Sequence, residues 1–149
     1  QEGAEVVFEV ARGGGGMELV RSALRDDFNC QVSVVYSRPG ANAQDWHSDG
    51  NHLITPSAFS DERPERPYAV CVFVPLIDLD HHVGFTQFWP GTHTHPKLAG
   101  FGAAAPMLSC HVDAAVAAGG AAIYDYRLLH RGMPNRSAST ERPVLQFLY

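Results

Sequence analysis

Residues 44–51 read QDWHSDGN, a stretch that places a histidine and a carboxylate, His47 and Asp49, two positions apart. On a β-strand, residues i and i+2 share one face, so both side chains can reach a single cation while Ser48 faces away. Such a pair is two thirds of the 2-His-1-carboxylate set that holds non-haem Fe(II) and leaves positions open for other ligands. A third ligand has to come from elsewhere in the chain.

The His-x-Asp pattern occurs a second time, at His111 and Asp113. The motif alone is therefore weak evidence for a metal site, and its context has to separate the two copies. The first copy follows a β-like run and a Pro-Gly turn, and a further histidine, His130, lies far downstream in LLHRGMPN. His111 lies too close to His130 for the intervening strands of a barrel, and we interpret it as a strand-edge histidine near a turn.

The composition predicts one compact globular domain, because 45% of the 149 residues are hydrophobic. The net charge of −5 comes without a basic stripe, so neither nucleic acid nor an anionic membrane is expected as a partner. No apolar run approaches membrane-spanning length, and the N-terminus lacks the basic and apolar regions of a signal peptide. The expected partner is a small-molecule substrate, and the oligomeric state is left open.

The three cysteines, Cys30, Cys71 and Cys110, are an odd count at wide spacings, and each lies within an apolar run. This distribution predicts reduced thiols in the core rather than a disulfide framework or a zinc site. The expected location is therefore the cytoplasm or another reducing intracellular compartment.

The secondary-structure pattern changes near Cys30. The N-terminal part predicts a strand in Glu5–Val10 and a helix in Met17–Phe28, where apolar residues recur near the helical period. Beyond it, short β-rich runs alternate with Gly and Pro, which is typical of an all-β sandwich or barrel. The predicted strands are 30–37, 68–79, 85–89, 108–112, 120–126, 128–133 and 143–149. The polar segment Ile54–Pro67 fits a loop that covers a substrate and a solvated connector equally well.

Three segments, QDWHSDGN, VGFTQFWPGTHTHP and residues 119–149, resemble in this order the core of the phytanoyl-CoA dioxygenase-like family of Fe(II)/2-oxoglutarate oxygenases. The most specific part is H-R-G-x-P-N-R-S followed by R-P-V-L, within the last segment. The resemblance implies an all-β core, a double-stranded β-helix (a jelly-roll, cupin-like barrel), with one N-terminal helix. We expect a single oxygenase domain over residues 1–149, with a strand and a helix in 1–28 and the barrel core in 29–149.

Carried over by position, the resemblance makes His47, Asp49 and His130 the iron ligands. It makes Arg142 the group that pairs with the distal carboxylate of 2-oxoglutarate, through the two parallel hydrogen bonds that a guanidinium can donate. The segment SASTE is slightly longer than the family's usual spacing, which leaves Arg136 as a reserve for this role.

Other side chains are assigned smaller roles. The resemblance gives Thr86 a hydroxyl that faces the oxoacid, and Tyr36 is a further candidate for the same carboxylate, against the alternative of a core tyrosine. Gln44 is expected to orient the metal pair. We interpret the remaining histidines as solvated or structural residues, namely His52, His81, His82, His93 and His95. Trp46 and Trp89 are expected to fill the barrel.

The activity implied by the resemblance is Fe(II)- and 2-oxoglutarate-dependent hydroxylation of an aliphatic C–H bond in a small-molecule or acyl substrate. The reaction uses O₂ and releases succinate and CO₂, with ascorbate as an accessory reductant. Related halogenases have a small residue at the position of Asp49, so an aspartate favours hydroxylation or desaturation. Two alternatives stay open: a non-redox cupin-like metal enzyme, which would not need Arg142, and an inactive barrel that acts as a binding module. Substrate specificity is expected in Asn51–Pro67 and Pro96–Pro106.

Overall fold

The computed structural model of the chain describes residues 8–12, 16–24, 28–50, 67–94, 100–102 and 104–149. Its helices are α1 (Gly16–Leu24), α2 (Ala104–Met107) and a 3₁₀ helix at Thr92–Thr94. Its strands are β1 (Phe8–Arg12), β2 (Gln31–Ser37), β3 (Val70–Pro75), β4 (Thr86–Phe88), β5 (Val112–Ala114), β6 (Gly120–Asp125), β7 (His130–Gly132) and β8 (Arg142–Leu148).

The strands form two antiparallel sheets with one hydrophobic core between them. The larger sheet has the order β1-β6-β3-β8-β2, and the smaller has the order β5-β4-β7. The core draws buried residues from both sheets, including Phe73 and Tyr124 from the larger sheet and Phe88 and Ala114 from the smaller. Shared burial of this kind requires the two sheets to pack face to face. The arrangement agrees with the two-layer β architecture predicted from the strand pattern.

β3 lies inside the larger sheet, between β6 and β8, and its sequence VCVFVP is apolar at every position. Cys71 and Phe73 belong to the core between the sheets, whereas Val70 and Val72 pack on the outer face. There, Val20 of α1 is 1% exposed and contacts the same cluster. A strand covered on both faces needs no polar alternation, which explains the continuous apolar run.

Several boundaries differ from the sequence-based expectation; β3, for example, ends at Pro75 rather than at Leu79. The helix is described to Leu24, residues 25–27 lie outside the described residues, and Phe28 is not helical but packs edge to face on Tyr149 at 5.5 Å between centroids. The strand predicted over 108–112 begins only at Val112, because α2 and a turn with Ser109 at a φ of 52° precede it.

The cysteines are all free, but only Cys71 is buried. The prediction of three core thiols is therefore wrong for Cys30 and Cys110, which are exposed. An apolar run predicts burial only on the face that the fold covers. Within the described residues, no helix is long and apolar enough to cross a membrane.

Candidate metal and cosubstrate site

The QDWHSDGN segment is fixed to the barrel at its centre and at its end. His47 and His130 exchange backbone hydrogen bonds, from His47 N to His130 O at 3.0 Å and from His130 N to His47 O at 2.8 Å. Further along, Gly50 N donates to Tyr126 O at 2.8 Å. Apart from the bridge at His47, residues 44–50 form no strand, so the expected strand alternation is wrong here. The turn closes locally through Ser48 Oγ, which donates to Gly50 O at 3.1 Å.

The fold brings His47, Asp49 and His130 together. Each offers one ligand atom, and these atoms all lie within 4.8 Å of one another. His47 Nε2 lies 3.7 Å from Asp49 Oδ1, and His130 Nε2 lies 3.5 Å from Asp49 Oδ2. Since Asp49 lies in a turn rather than on a strand, its carboxylate reaches the imidazoles through the local turn geometry.

Both imidazoles present the same nitrogen to the centre of this group. His47 Nδ1 lies 2.8 Å from Asp45 O, and His130 Nδ1 lies 3.0 Å from Leu128 O. A carbonyl accepts only, so each Nδ1 carries the proton and each Nε2 keeps its lone pair for a metal. Burial lowers the pKa of His130, opposed by the nearby Asp49 charge, so that ring favours its neutral, ligating form. Two imidazole nitrogens and one carboxylate are a donor set that fits Fe(II).

Tyr124 is a residue of this site that the sequence analysis missed. Its hydroxyl donates to Asp49 Oδ2 at 3.5 Å and also hydrogen-bonds the thiol of Cys71. Burial raises the pKa of the Tyr124 phenol well above its usual range, and burial raises the pKa of Cys71 to about 11. Both groups are therefore protonated at neutral pH. In the sequence, Tyr124 has the same signature as any aromatic core residue on a strand.

A cavity of about 810 Å³ opens beside the three ligands. Arg142, Val144 and Gln146 of β8 line it, because alternate residues of a strand share one face. From β2, Val35 and Ser37 contribute in the same register, since Val35 pairs with Val144 and Ser37 with Arg142. The cavity therefore connects the metal ligands with the predicted oxoacid arginine.

Arg142 lies buried in this cavity, with 8% of its surface exposed. Its Nη1 donates to Met133 O at 2.9 Å and to Val83 O at 3.3 Å. Among the described residues no carboxylate forms an ion pair with Arg142, and burial lowers its pKa. A buried cation without a protein counter-ion is costly unless a ligand supplies the negative charge. The guanidinium is thus suited to bind an anion in the cavity.

A compact turn sets the register of Arg142. Asn135 is 1% exposed, and its amide donates to Thr140 O at 2.8 Å and Ser37 O at 3.3 Å. Its Oδ1 accepts hydrogen bonds from Ser137 N and Ser137 Oγ. The segment SASTE lies in this turn, where Ser137 Oγ also donates to Thr140 O at 2.8 Å. Arg136 is exposed and donates to a backbone carbonyl outside the cavity, so the structure does not place the reserve arginine with the ligands.

The other residues with predicted roles at the site, Thr86, Tyr36 and Gln44, lie at different positions around the cavity. Thr86 lines the cavity and pairs with Gly132 of β7. Tyr36 lies at the cavity rim, 48% exposed, where its phenol hydrogen-bonds the carboxylate of Glu141. Gln44 clamps β7, since its Oε1 accepts from Gly132 N at 2.8 Å.

Among the described residues, the other histidines and the tryptophans are not part of the ligand group. His93 is 3% exposed within the 3₁₀ helix, while His81 and His82 are exposed in a turn. Trp46 and Trp89 pack together at 5.8 Å between ring centroids, in a cluster with Ala105 and Leu129 that is separate from the core between the sheets. The expectation that they fill the barrel is therefore wrong. His52, His95 and most of both predicted specificity loops (51–66, 95–99 and 103) lie outside the described residues.

Several solved structures share this fold. AviO1 from Streptomyces viridochromogenes Tue57 aligns with a TM-score of 0.57 at 23% identity, over 80% of this chain and 50% of that one. EvdO2 from Micromonospora carbonacea var. aurantiaca, complexed with 2-oxoglutarate, aligns with a TM-score of 0.58 at 20% identity. The alignment covers 80% of this chain and 50% of EvdO2. The nickel complex of the non-heme monooxygenase ThoJ aligns with a TM-score of 0.62 at 18% identity. The alignment covers 89% of this chain and 48% of ThoJ. The chain spans about half the length of these proteins, and the similarity supports the predicted jelly-roll fold.

A family model ties these observations together. The model described as phytanoyl-CoA dioxygenase (PhyH) matches residues 5–144, which include every metal and cosubstrate candidate described above. The chain belongs to the phytanoyl-CoA dioxygenase (PhyH) family.

Proposed function

We propose that this chain is the catalytic core of an Fe(II)- and 2-oxoglutarate-dependent dioxygenase that hydroxylates an aliphatic C–H bond of a small-molecule or acyl substrate. The observation that carries the proposal is the convergence of His47, Asp49 and His130 within 4.8 Å, beside a cavity that also holds Arg142. Membership of the PhyH family and the 2-oxoglutarate complex of the structural relative EvdO2 support the same chemistry.

The roles follow from the chemistry of the side chains. His47, Asp49 and His130 hold the iron, and Arg142 holds the distal carboxylate of 2-oxoglutarate, since it is the buried cation of the cavity. Thr86 places a hydroxyl on the cavity wall near this end, so it is available to the same cosubstrate. We keep Tyr36 only as a group at the rim.

Bound iron and 2-oxoglutarate supply the activation of O₂. In the balanced reaction, 2-oxoglutarate loses CO₂ and becomes succinate with one oxygen atom, while the other oxygen atom converts R–H into R–OH. The protein contributes a position for each reactant and a wall of apolar side chains, among them Phe73, Phe85 and Val144, which limits water in the cavity. Asp49 supplies a third protein ligand, so chloride has no place in the coordination set and hydroxylation or desaturation is favoured over halogenation.

The partner is a small molecule, and the proposed location is a reducing intracellular compartment, which the three free cysteines favour. Ascorbate is proposed as an accessory reductant that keeps iron in the Fe(II) state.

The test is anaerobic addition of Fe(II) and 2-oxoglutarate to the purified chain, followed by O₂. Chelation of iron by the 2-oxo acid should give a weak visible charge-transfer band, and O₂ should then release succinate. Metal binding without the band or succinate would favour a non-redox metal enzyme. Failure to bind metal at all would favour a binding module and overturn the proposal.

A further inference from the structure

Asp49 is the least restrained of the three candidate ligands. His130 lies on β7, His47 is bridged to it through the backbone, and both rings are oriented through their Nδ1 atoms. Asp49 lies in the turn that follows, where no strand ladder fixes its direction. Among the described residues, the hydroxyl of Tyr124 is the only side-chain donor to the Asp49 carboxylate.

The Tyr124 ring is held firmly by its neighbours. It is fully buried and contacts three other rings, with centroids 5.2 Å from Phe73, 4.7 Å from Phe88 and 5.1 Å from His130. A ring packed on several sides has little freedom to move its hydroxyl away from Asp49. A fixed donor can therefore select one orientation of the carboxylate.

Polar groups continue behind the phenol across the inner face of the larger sheet. Gln146 Nε2 donates to Cys71 Sγ at 3.2 Å, and Ser33 Oγ donates to Gln146 Oε1 at 3.2 Å. Cys71 and Tyr124 are directly paired residues of β3 and β6 and hydrogen-bond through their side chains. The hydrogen bonds to Cys71 and to Asp49 both raise the pKa of the phenol, so the Tyr124 hydroxyl is the donor in each. The Cys71 sulfur therefore accepts from Gln146 and competes with Asp49 for the single Tyr124 proton.

We propose that Tyr124 is a positioning residue that orients the metal-binding carboxylate of Asp49. The inference rests on the proposed function, because it assigns a role at the same metal site. Outer hydrogen-bond partners of metal ligands fix the ligand geometry before the ion arrives. Tyr124 acts through Asp49 and does not touch the metal or the substrate.

The experiment uses Co(II) in place of Fe(II). It measures the binding of Co(II) to the full chain through the visible d–d absorption of the bound ion. Tyr124→Phe removes the hydroxyl and keeps the packed ring, and it should weaken Co(II) binding roughly 10-fold, at the low end for such partners. The band shape should change as well, because the carboxylate is no longer held in one orientation. Tyr149→Phe is the matched control, since Tyr149 packs on the outer face of the sheet, and its Kd and spectrum should equal those of the wild type.

A second pair of variants keeps the inference testable if Tyr124→Phe fails to fold. Cys71→Ala removes the competing acceptor and leaves the Tyr124 hydroxyl to Asp49 alone, so Co(II) should bind a few-fold more tightly. Cys71→Ser, which keeps an acceptor, should bind Co(II) as the wild type does. Wild-type affinity and spectrum in folded Tyr124→Phe, or equal Kd values for Cys71→Ala and Cys71→Ser, would overturn the inference alone. A wild-type chain that binds no Co(II) would overturn the proposed function itself.

Discussion

Two regions of this chain carry the same His-x-Asp motif with nearly the same internal geometry. His47 Nε2 lies 3.7 Å from Asp49 Oδ1, and His111 Nε2 lies 3.6 Å from Asp113 Oδ1. The difference is in what surrounds each pair. The first pair meets His130 beside a cavity. A histidine and an aspartate become a metal site only where the fold adds a third ligand.

The second motif is instead part of a hydrogen-bond ladder across the smaller sheet. Asp113 Oδ1 accepts from Gln87 Nε2 at 2.8 Å, and Gln87 Oε1 accepts from Arg131 Nε at 2.9 Å. These three residues are cross-strand partners of β5, β4 and β7. The carboxylate of Asp113 is therefore engaged in holding strands together, which is the usual role of paired polar residues on a sheet.

The largest expected difference between the two motifs comes from removing the carboxylate of each motif in turn. Asp49→Ala should abolish succinate release, because two imidazoles alone do not complete the ligand set. Asp113→Ala should leave turnover intact, since that side chain only joins strands. The measurement is succinate formed with Fe(II), 2-oxoglutarate and O₂. Equal turnover in both variants would show that the first motif is not the metal site.

Two of the three arginines in the H-R-G-x-P-N-R-S…R-P-V-L segment, Arg136 and Arg142, test which residue binds the cosubstrate. Arg142→Lys should raise the KM for 2-oxoglutarate by about 10- to 100-fold, because an ammonium cannot make two parallel bonds to a carboxylate. Arg136→Lys should change the KM little, since Arg136 is exposed. A larger effect at Arg136 would move the oxoacid site to the reserve arginine.

A pair of glycines tests how tightly the cavity is built. Gly84 and Gly119 have φ values of +84° and +82°, so alanine is strained to a similar degree at both. At Gly84, however, a Cβ would lie 2.3 Å from Arg142 Nη1 and 2.6 Å from Pro134 O, whereas at Gly119 it would meet nothing within 4 Å. Gly119→Ala should cost about 1 kcal/mol of unfolding free energy. Gly84→Ala should cost about 1–3 kcal/mol more.

Both glycine variants are compared by denaturant unfolding and by their KM for 2-oxoglutarate. Gly84→Ala should also raise the KM, because Arg142 has to move away from the added methyl group. Equal destabilisation at the two positions would mean that Gly84 is required only for its backbone angle.

The smallest expected effect concerns the glutamines that support each motif. Gln44→Ala leaves the buried N–H of Gly132 without its side-chain acceptor and should cost about 1 kcal/mol. It should also weaken metal binding a few-fold, because the strand that carries His130 loosens. Gln87→Ala should destabilise the smaller sheet to a similar extent without changing metal affinity. Co(II) titration together with thermal unfolding separates the two; identical metal affinities would contradict the role given to Gln44.

The fold follows from the sequence where patterns are local. Short β-rich runs between Gly and Pro predict the strands of both sheets, and the family resemblance supplies the jelly-roll arrangement that the comparisons support. The ends of elements are less predictable, as at Phe28 and at the start of β5, since tertiary packing decides them. Burial of Cys30 and Cys110 fails for the same reason, because an apolar run does not reveal which face is covered.

In the candidate site, too, some residues can be predicted from sequence and others cannot. The ligand residue types have chemical signatures, so His47, Asp49, His130 and Arg142 can be named from sequence, and the structure brings them to one cavity. Tyr124 has no such signature, because its function depends on where a packed ring points its hydroxyl. The role of Asn135 has no sequence signature either, since it depends on backbone acceptors at Thr140 and at the distant Ser37.

The most direct test of the central claim is the number of Co(II) ions bound per chain in two variants, one without His130 and one without His111. His130→Ala should abolish binding of the single ion, because it leaves His47 and Asp49 with the same incomplete set that the second motif has. His111→Ala should retain one ion per chain with wild-type affinity. One ion bound by His130→Ala and none by His111→Ala would place the metal at the second motif and contradict the assignment.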